Sequence, residues 1–364
     1  MRLFQCQCCR QVLHFENTVC LRCDAPVGYL PQEDRMAAVE PDGARWRVRS
    51  GGEVASVAGS GIGHWRFCRN WELSACNWMV PADEGAGHFD YCLACQHNRT
   101  VPNLDEPANN ARWQKIEAAK RRLFYSLFRL GLPLPVPGFG HPQPLVFDFL
   151  AAEPASGQSV LTGHAYGVVT IALTEADDVA REQVRVEMGE AYRTLLGHFR
   201  HEIGHYYWDL LVRDGGALEA FRAVFGDERA DYAMALERHY RDGAPLGWQD
   251  SHVSAYATMH PWEDWAETWA HYLHMMDALD TAAALGLRVR PEADAGGGLA
   301  AEVAFDPYRE VDAKRLFSAW LPLTVALNML SRSMSAADLY PFALSAGVQR
   351  KMAFVHELVA GPRS

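Results

Sequence analysis

The sequence predicts an α+β protein in which a small, cysteine-organised N-terminal domain, residues 1–104, precedes a mostly helical domain, residues 105–364. Three observations carry this. All nine cysteines lie between Cys6 and Cys95, so they serve one local structure. Two runs, LVFDFL at 145–150 and YGVVTIAL at 166–173, are rich in β-branched and aromatic residues and read as strands. After Asp177 the apolar residues recur at helical spacing to the end of the chain, apart from a Gly-rich loop at roughly residues 286–310.

In the first domain the spacing groups Cys6 and Cys9 with Cys20 and Cys23, and Cys68 and Cys76 with Cys92 and Cys95. Each set offers four thiolates. Paired CxxC units suit tetrahedral zinc, because two short turns can each aim two sulfurs at one ion. One or two structural zinc sites are therefore expected, with Cys8 left over as an odd thiol. Acidic residues outnumber basic ones, 45 to 34, for a formal charge of −11, so a nucleic-acid partner is not expected. The opening MRLFQCQCCRQ lacks the pattern of a secretory signal, and no apolar run reaches bilayer-spanning length. A cytoplasmic, membrane-free protein is the expectation. The Gly- and Ser-containing GGEVASVAGSGIG at 51–63 reads as a flexible insertion and holds no phosphate-binding pattern.

A helix is expected over Ala111–Leu130, and the Pro-rich PLPVPGFGHPQP that follows stops it. Lys115, Lys120, Arg121 and Arg122 make that helix basic, which predicts a solvated or partner-docking face.

The chemistry concentrates in HFRHEIGHYY, residues 198–207. Met188, Tyr192, Leu195, Leu196, Phe199, Ile203, Tyr207, Leu210 and Leu211 recur at three- and four-residue intervals and predict one long amphipathic helix. On it His201 and His205 stack on one face about 6 Å apart, close enough for both imidazoles to reach one ion. Glu202 projects beside them, placed to take a proton from the attacking water and hand it to a leaving amine. The competing reading is a pair of core histidines, since His198 lies on the same face.

A catalytic zinc needs a third protein ligand. No third His follows shortly after HEIGH, which rules out the metzincin pattern. The best source is HPWEDWAETWAHY, residues 260–272, where Pro261 opens a helix. Glu263, Glu267 and His271 form a polar stripe there. Glu263 is the expected ligand, with Asp264 and His271 as alternatives, and Glu267, one turn on, is placed to orient a ligating histidine.

HEIGH followed far downstream by EDWAE, with Tyr256 seven residues before Glu263, resembles the gluzincins of the lethal-factor type. The resemblance implies a zincin-like domain with His201, His205 and Glu263 on zinc, Glu202 as general base, and Tyr256 as donor to the oxyanion. More broadly, FQCQCC, HFENTVCLRC, CRNWELSACNW, AKRRLFYSL, RHEIGHYYWD, FGDERADY, SAYATMHPWEDWAETWAHY and DLYPFAL resemble the bacterial zinc-binding metallopeptidases that carry an N-terminal zinc ribbon. That likeness implies hydrolysis of a peptide or protein, with one catalytic zinc in addition to the structural ones. The strand at Tyr166–Leu173 is expected to be the sheet edge where a peptide adds. The alternative is an interaction protein whose ribbon binds a protein partner while its zincin domain turns over little.

Overall fold

The computed structural model describes residues 2–50, 62–83, 89–151, 160, 162–187 and 193–361, so most of the 51–63 insertion lies outside the described residues. The chain divides into two compact units. The first comprises Met1–Arg122, Leu134–Leu161 and Thr170–Ala176; the second comprises Leu123–Pro133, Thr162–Val169 and Asp177–Ser364.

In the first unit the short strands β1 (Phe4–Gln5) and β2 (Val12–Leu13) pair antiparallel. Strands β3 (Val27–Leu30), β4 (Arg35–Asp42), β5 (Arg45–Val48), β6 (Trp65–Phe67) and β7 (Met79–Pro81) follow as an antiparallel sheet in sequence order. Its core is Leu30, Ala37, Val39, Trp65 and Met79, all removed from solvent. Strand β8 (Asn98–Thr100) runs parallel to β9 (Val146–Leu150), an arrangement that needs the long crossover connection found between them. That connection contains α1 (Pro107–Arg129).

Two of the four basic residues of α1 are not on a solvated face, whereas Lys115 is exposed and Arg122 half-buried. Lys120 is fully buried, paired with Glu117 at 2.9 Å and with Asn98, and Arg121 is buried donating to the carbonyl of Ala75. Burying a lysine is costly unless a carboxylate meets it, and Glu117, one turn away and equally buried, does so. Charge counting along a helix cannot see such a partner.

Strands β10 (Gly163–Ala165) and β11 (Val168–Ala172) form a hairpin through Tyr166 and Gly167, whose φ values of 50° and 82° are the left-handed pair a tight two-residue turn requires. Tyr166 is therefore an exposed turn residue, not a strand residue. The strand order β10-β11-β9-β8 sets β11 inside the sheet, so among the described residues the edge strands are β10 and β8 and not Tyr166–Leu173.

The second unit is helical: α2 (Asp178–Glu187), α3 (Leu195–Tyr207), α4 (Leu218–Phe225), α5 (Tyr232–Asp242), α6 (Pro261–Leu285), α7 (Ala313–Ser333) and α8 (Ala346–Ala360). Arg288–Val289 (β12) and Ala301–Glu302 (β13) interrupt the 286–310 loop as a two-residue antiparallel pair, and a 3-10 turn, Pro307–Arg309, stands near its end. Helix α3 starts later than its apolar period implies. Thr194 caps it, accepting from the N–H of Gly197 at 3.0 Å, while Met188 and Tyr192 lie outside the described residues. Past Tyr207 the helix widens into a π-helical turn, Trp208–Arg213.

Helices α3 and α6 form the centre of this unit. Phe199, Ile203, Tyr206 and Tyr207 of α3 are buried, as are Trp265, Ala266 and Trp269 of α6. Tyr207 stacks on Trp269 with ring centroids 5.0 Å apart. The helices touch at Gly204: a Cβ there would stand 3.1 Å from Cα of Ala266 and 3.2 Å from Cβ of Trp269. The indole N–H of Trp265 donates to the Gly204 carbonyl at 2.8 Å, fixing the register. Among the described residues no helix is long and apolar enough to cross a membrane.

Candidate metal centre

HEIGH lies within α3, so His201 and His205 project from successive turns of one face. The first turn of α6 supplies Glu263. His260 caps that helix, accepting from the N–H of Trp262 at 3.1 Å, and Pro261 presets its opening turn. One ligand-type atom from each of His201, His205 and Glu263 lies within 4.8 Å of the others. Oε2 of Glu263 is 3.0 Å from Nε2 of His201 and 3.6 Å from Nε2 of His205. Donors about 2.1 Å from one tetrahedral ion stand about 3.4 Å apart, so this spacing fits a zinc-sized cation.

The polar atoms point the same way. Glu263 Oε2 is buried and finds no well-aligned hydrogen-bond donor among the described residues. Burial opposes charge on His201, yet Glu263 and Glu267 outweigh it and push its pKa well above the ordinary histidine value. Burial likewise opposes charge on Glu263, and the two histidines overcome it, holding the carboxyl well below the usual range. The pocket holds its carboxylates charged and favours a cation between them.

Glu267 reaches the other ring nitrogen: Nδ1 of His201 donates to its Oε1 at 2.7 Å, which turns Nε2 toward Glu263. Ser254 donates to the second oxygen of Glu267 at 2.6 Å. Trp262 lies over His205 with ring centroids 3.7 Å apart and screens that imidazole. Glu202 is half-buried beside His201. Tyr256 approaches from the 3-10 turn Tyr256–Thr258, its ring centroid 6.1 Å from that of His201. Burial, then the nearby Glu263, raises the Tyr256 pKa, so its hydroxyl keeps its proton.

The two alternative ligands are engaged elsewhere. Asp264 pairs with Lys351 of α8 at 2.5 Å, and a ring nitrogen of His271 meets the Tyr340 hydroxyl at 2.9 Å. The polar stripe of α6 thus splits after Glu267, because the helix is buried on nearly every side and each polar residue meets a different neighbour. Sequence reasoning missed three contributors. Tyr232 donates to Oε1 of Glu263 at 2.9 Å; Ser254 holds Glu267; His164 of β10 stacks 6.3 Å from His205. Only the quoted stretch FGDERADY pointed toward Tyr232, and periodicity gave no sign of the others.

In the first unit Cys6, Cys9, Cys20 and Cys23 form one group of four sulfurs, and Cys68, Cys76, Cys92 and Cys95 another. Sγ atoms stand 3.8 Å apart for Cys6 and Cys23, 3.5 Å for Cys9 and Cys20, and 3.6 Å for Cys76 and Cys92. These distances exclude disulfides and match the roughly 3.8 Å edge of a tetrahedral zinc tetrathiolate. Cys8 stands outside both groups, exposed. The second group is buried throughout, and Cys95 donates from its Sγ to Glu117 at 3.7 Å, which joins it to the Glu117–Lys120 pair.

Residues 109–358 match the family described as "Putative zinc-binding metallo-peptidase", and residues 3–106 match a zinc-ribbon domain. Uncharacterized proteins of Mycobacterium bovis and of Mycobacterium tuberculosis are 44% identical over 362 residues, covering 99% of this chain and 95% of each relative. No solved structure matches the chain.

Proposed function

The chain belongs to the zinc-binding metallo-peptidase family and carries an N-terminal zinc-ribbon domain, and from that premise we propose that it hydrolyses peptide bonds at the α3–α6 centre. The observation that carries this reading is the convergence of His201, His205 and Glu263 on one point beside Glu202. In it those three side chains hold one catalytic zinc, and the two cysteine quartets hold structural zinc.

Zinc held there supplies Lewis-acid polarisation of the scissile carbonyl and acidifies an attacking water. Glu202 takes the proton that the water loses as its oxygen bonds to the carbonyl carbon. Tyr256 donates its hydroxyl to the oxygen that gains negative charge. Glu202 then delivers the proton to the amine as the C–N bond breaks, so atoms and protons balance. Glu267 keeps the His201 ring in the tautomer that presents Nε2.

Two variants of the full chain test this. Elemental analysis of His205→Ala is expected to show one zinc fewer per chain than wild type. Glu202→Gln is expected to keep that zinc and lose hydrolysis of an unfolded protein substrate by about 100-fold or more. Equal zinc content in wild type and His205→Ala would sink the metal assignment, and retained hydrolysis in Glu202→Gln would sink the mechanism.

A further inference from the structure

The stretch FGDERADY, residues 225–232, has no part in the reaction above, yet its last residue reaches the metal centre. Tyr232 opens α5, whose cap Asp231 accepts from the N–H of Met234 at 3.0 Å. His260 ties the starts of α5 and α6 together. Its Nδ1 accepts from the N–H of Trp262 at 3.1 Å, and its Nε2–H donates to the carbonyl of Ala230 at 3.0 Å. Both nitrogens of a neutral imidazole are thereby satisfied, which sets the tautomer. The same ring packs 5.3 Å from that of Tyr232.

The first turns of the two helices are thus held in register, with Tyr232 opposite Glu263. The Tyr232 hydroxyl has one proton, and it donates that proton to Oε1 of Glu263 at 2.9 Å. Its oxygen remains able to accept a further hydrogen bond.

We infer that Tyr232 is a positioning residue that fixes Glu263, an inference that rests on the zinc reading of the site. By holding Oε1, it leaves Oε2 as the carboxylate oxygen that faces the two imidazoles. Tyr232 itself touches no reacting atom.

The test measures zinc retained per full-length chain as free zinc is lowered with a graded chelator. Four proteins are compared: wild type, Tyr232→Phe, Tyr256→Phe and His205→Ala, the last marking which equivalents the cysteines hold. Tyr232→Phe keeps the ring and removes only the hydroxyl. It is expected to give up the His205-dependent zinc at free-zinc levels about 10- to 100-fold higher than wild type, with the cysteine-held zinc unmoved. Tyr256→Phe is expected to follow wild type. Coincident release curves for wild type and Tyr232→Phe would overturn the inference and leave the metal reading standing. Loss of the cysteine-held zinc at the same step would make Tyr232 a structural residue and overturn it too. A wild type without His205-dependent zinc would overturn the metal reading and this inference with it.

Discussion

At the residue scale the centre shows how little freedom each side chain keeps. His201 is held at one nitrogen by Glu267 and His205 is covered by Trp262, so each imidazole is oriented by a neighbouring side chain. Glu267 in turn is held by Ser254. Removing the Glu267 carboxylate as Glu267→Ala should lower affinity for the His205-dependent zinc by about 10- to 100-fold, read by chelator competition, because His201 loses the partner that sets its tautomer. The sequence showed Glu267 at one helical turn from Glu263, which is why its place could be anticipated. The roles of Tyr232 and Ser254 could not be, although both lie in stretches that carry the family resemblance, because no local periodicity links them to α6.

At the scale of the elements, the α3–α6 contact sets the geometry of the centre. Gly204 lets the two helices approach until Cα of Ala266 would lie 3.1 Å from a Cβ, and neither that backbone nor Cβ of Trp269 can yield as a flexible chain end would. Gly204→Ala should therefore push the helices apart, cost about 1–3 kcal/mol in denaturant unfolding, and weaken the His205-dependent zinc site as well. An alanine variant as stable as wild type would show that the packing yields. His271, on the same helix, gives the pH dependence. Burial disfavours its charged form and lowers its pKa to about 4. The unfolded chain takes up this proton near pH 6.5, before the folded one does, so the stabilisation is complete above pH 6.5 and lost as pH falls toward about 4. The difference is worth about 3 kcal/mol at full extent. His271→Gln should flatten the fall in unfolding free energy across that interval, and an unchanged slope would discount the histidine. In the first unit, Lys120→Ala leaves Glu117 buried without its cation and should destabilise by about 3–5 kcal/mol.

At the scale of the whole molecule, three groups of side chains able to hold a metal ion recur among the described residues, two of cysteine and one of histidine with glutamate. Thiolates crowded to within 4 Å repel one another unless a cation neutralises them, and burial raises the pKa of Cys92 well above the usual thiol value, partly because its neighbours are thiols. Zinc removal should therefore unfold the ribbon. A chelator strong enough to strip the cysteine groups is expected to abolish near-ultraviolet circular dichroism from the buried Trp65 and Trp78, with recovery on adding zinc. Signal that survives complete zinc loss would show that the strand core holds without metal.

Whatever rests on short-range spacing was legible in the amino-acid sequence: the pairing of CxxC units, the two histidines one helical turn apart, the carboxylates at the start of α6, and the α+β order of the chain. These follow from the 3.6-residue turn and from the reach of a two-residue knuckle, which act locally. Tertiary structure alone decided which neighbour each polar residue meets. It buried Lys120 against Glu117, turned Asp264 to Lys351 and His271 to Tyr340, set β11 inside its sheet, and brought Tyr232 and Ser254 to the centre. Each of these depends on elements distant in sequence approaching to hydrogen-bonding distance. The desolvation of a buried charge makes such a partner obligatory, yet nothing in the local pattern identifies it.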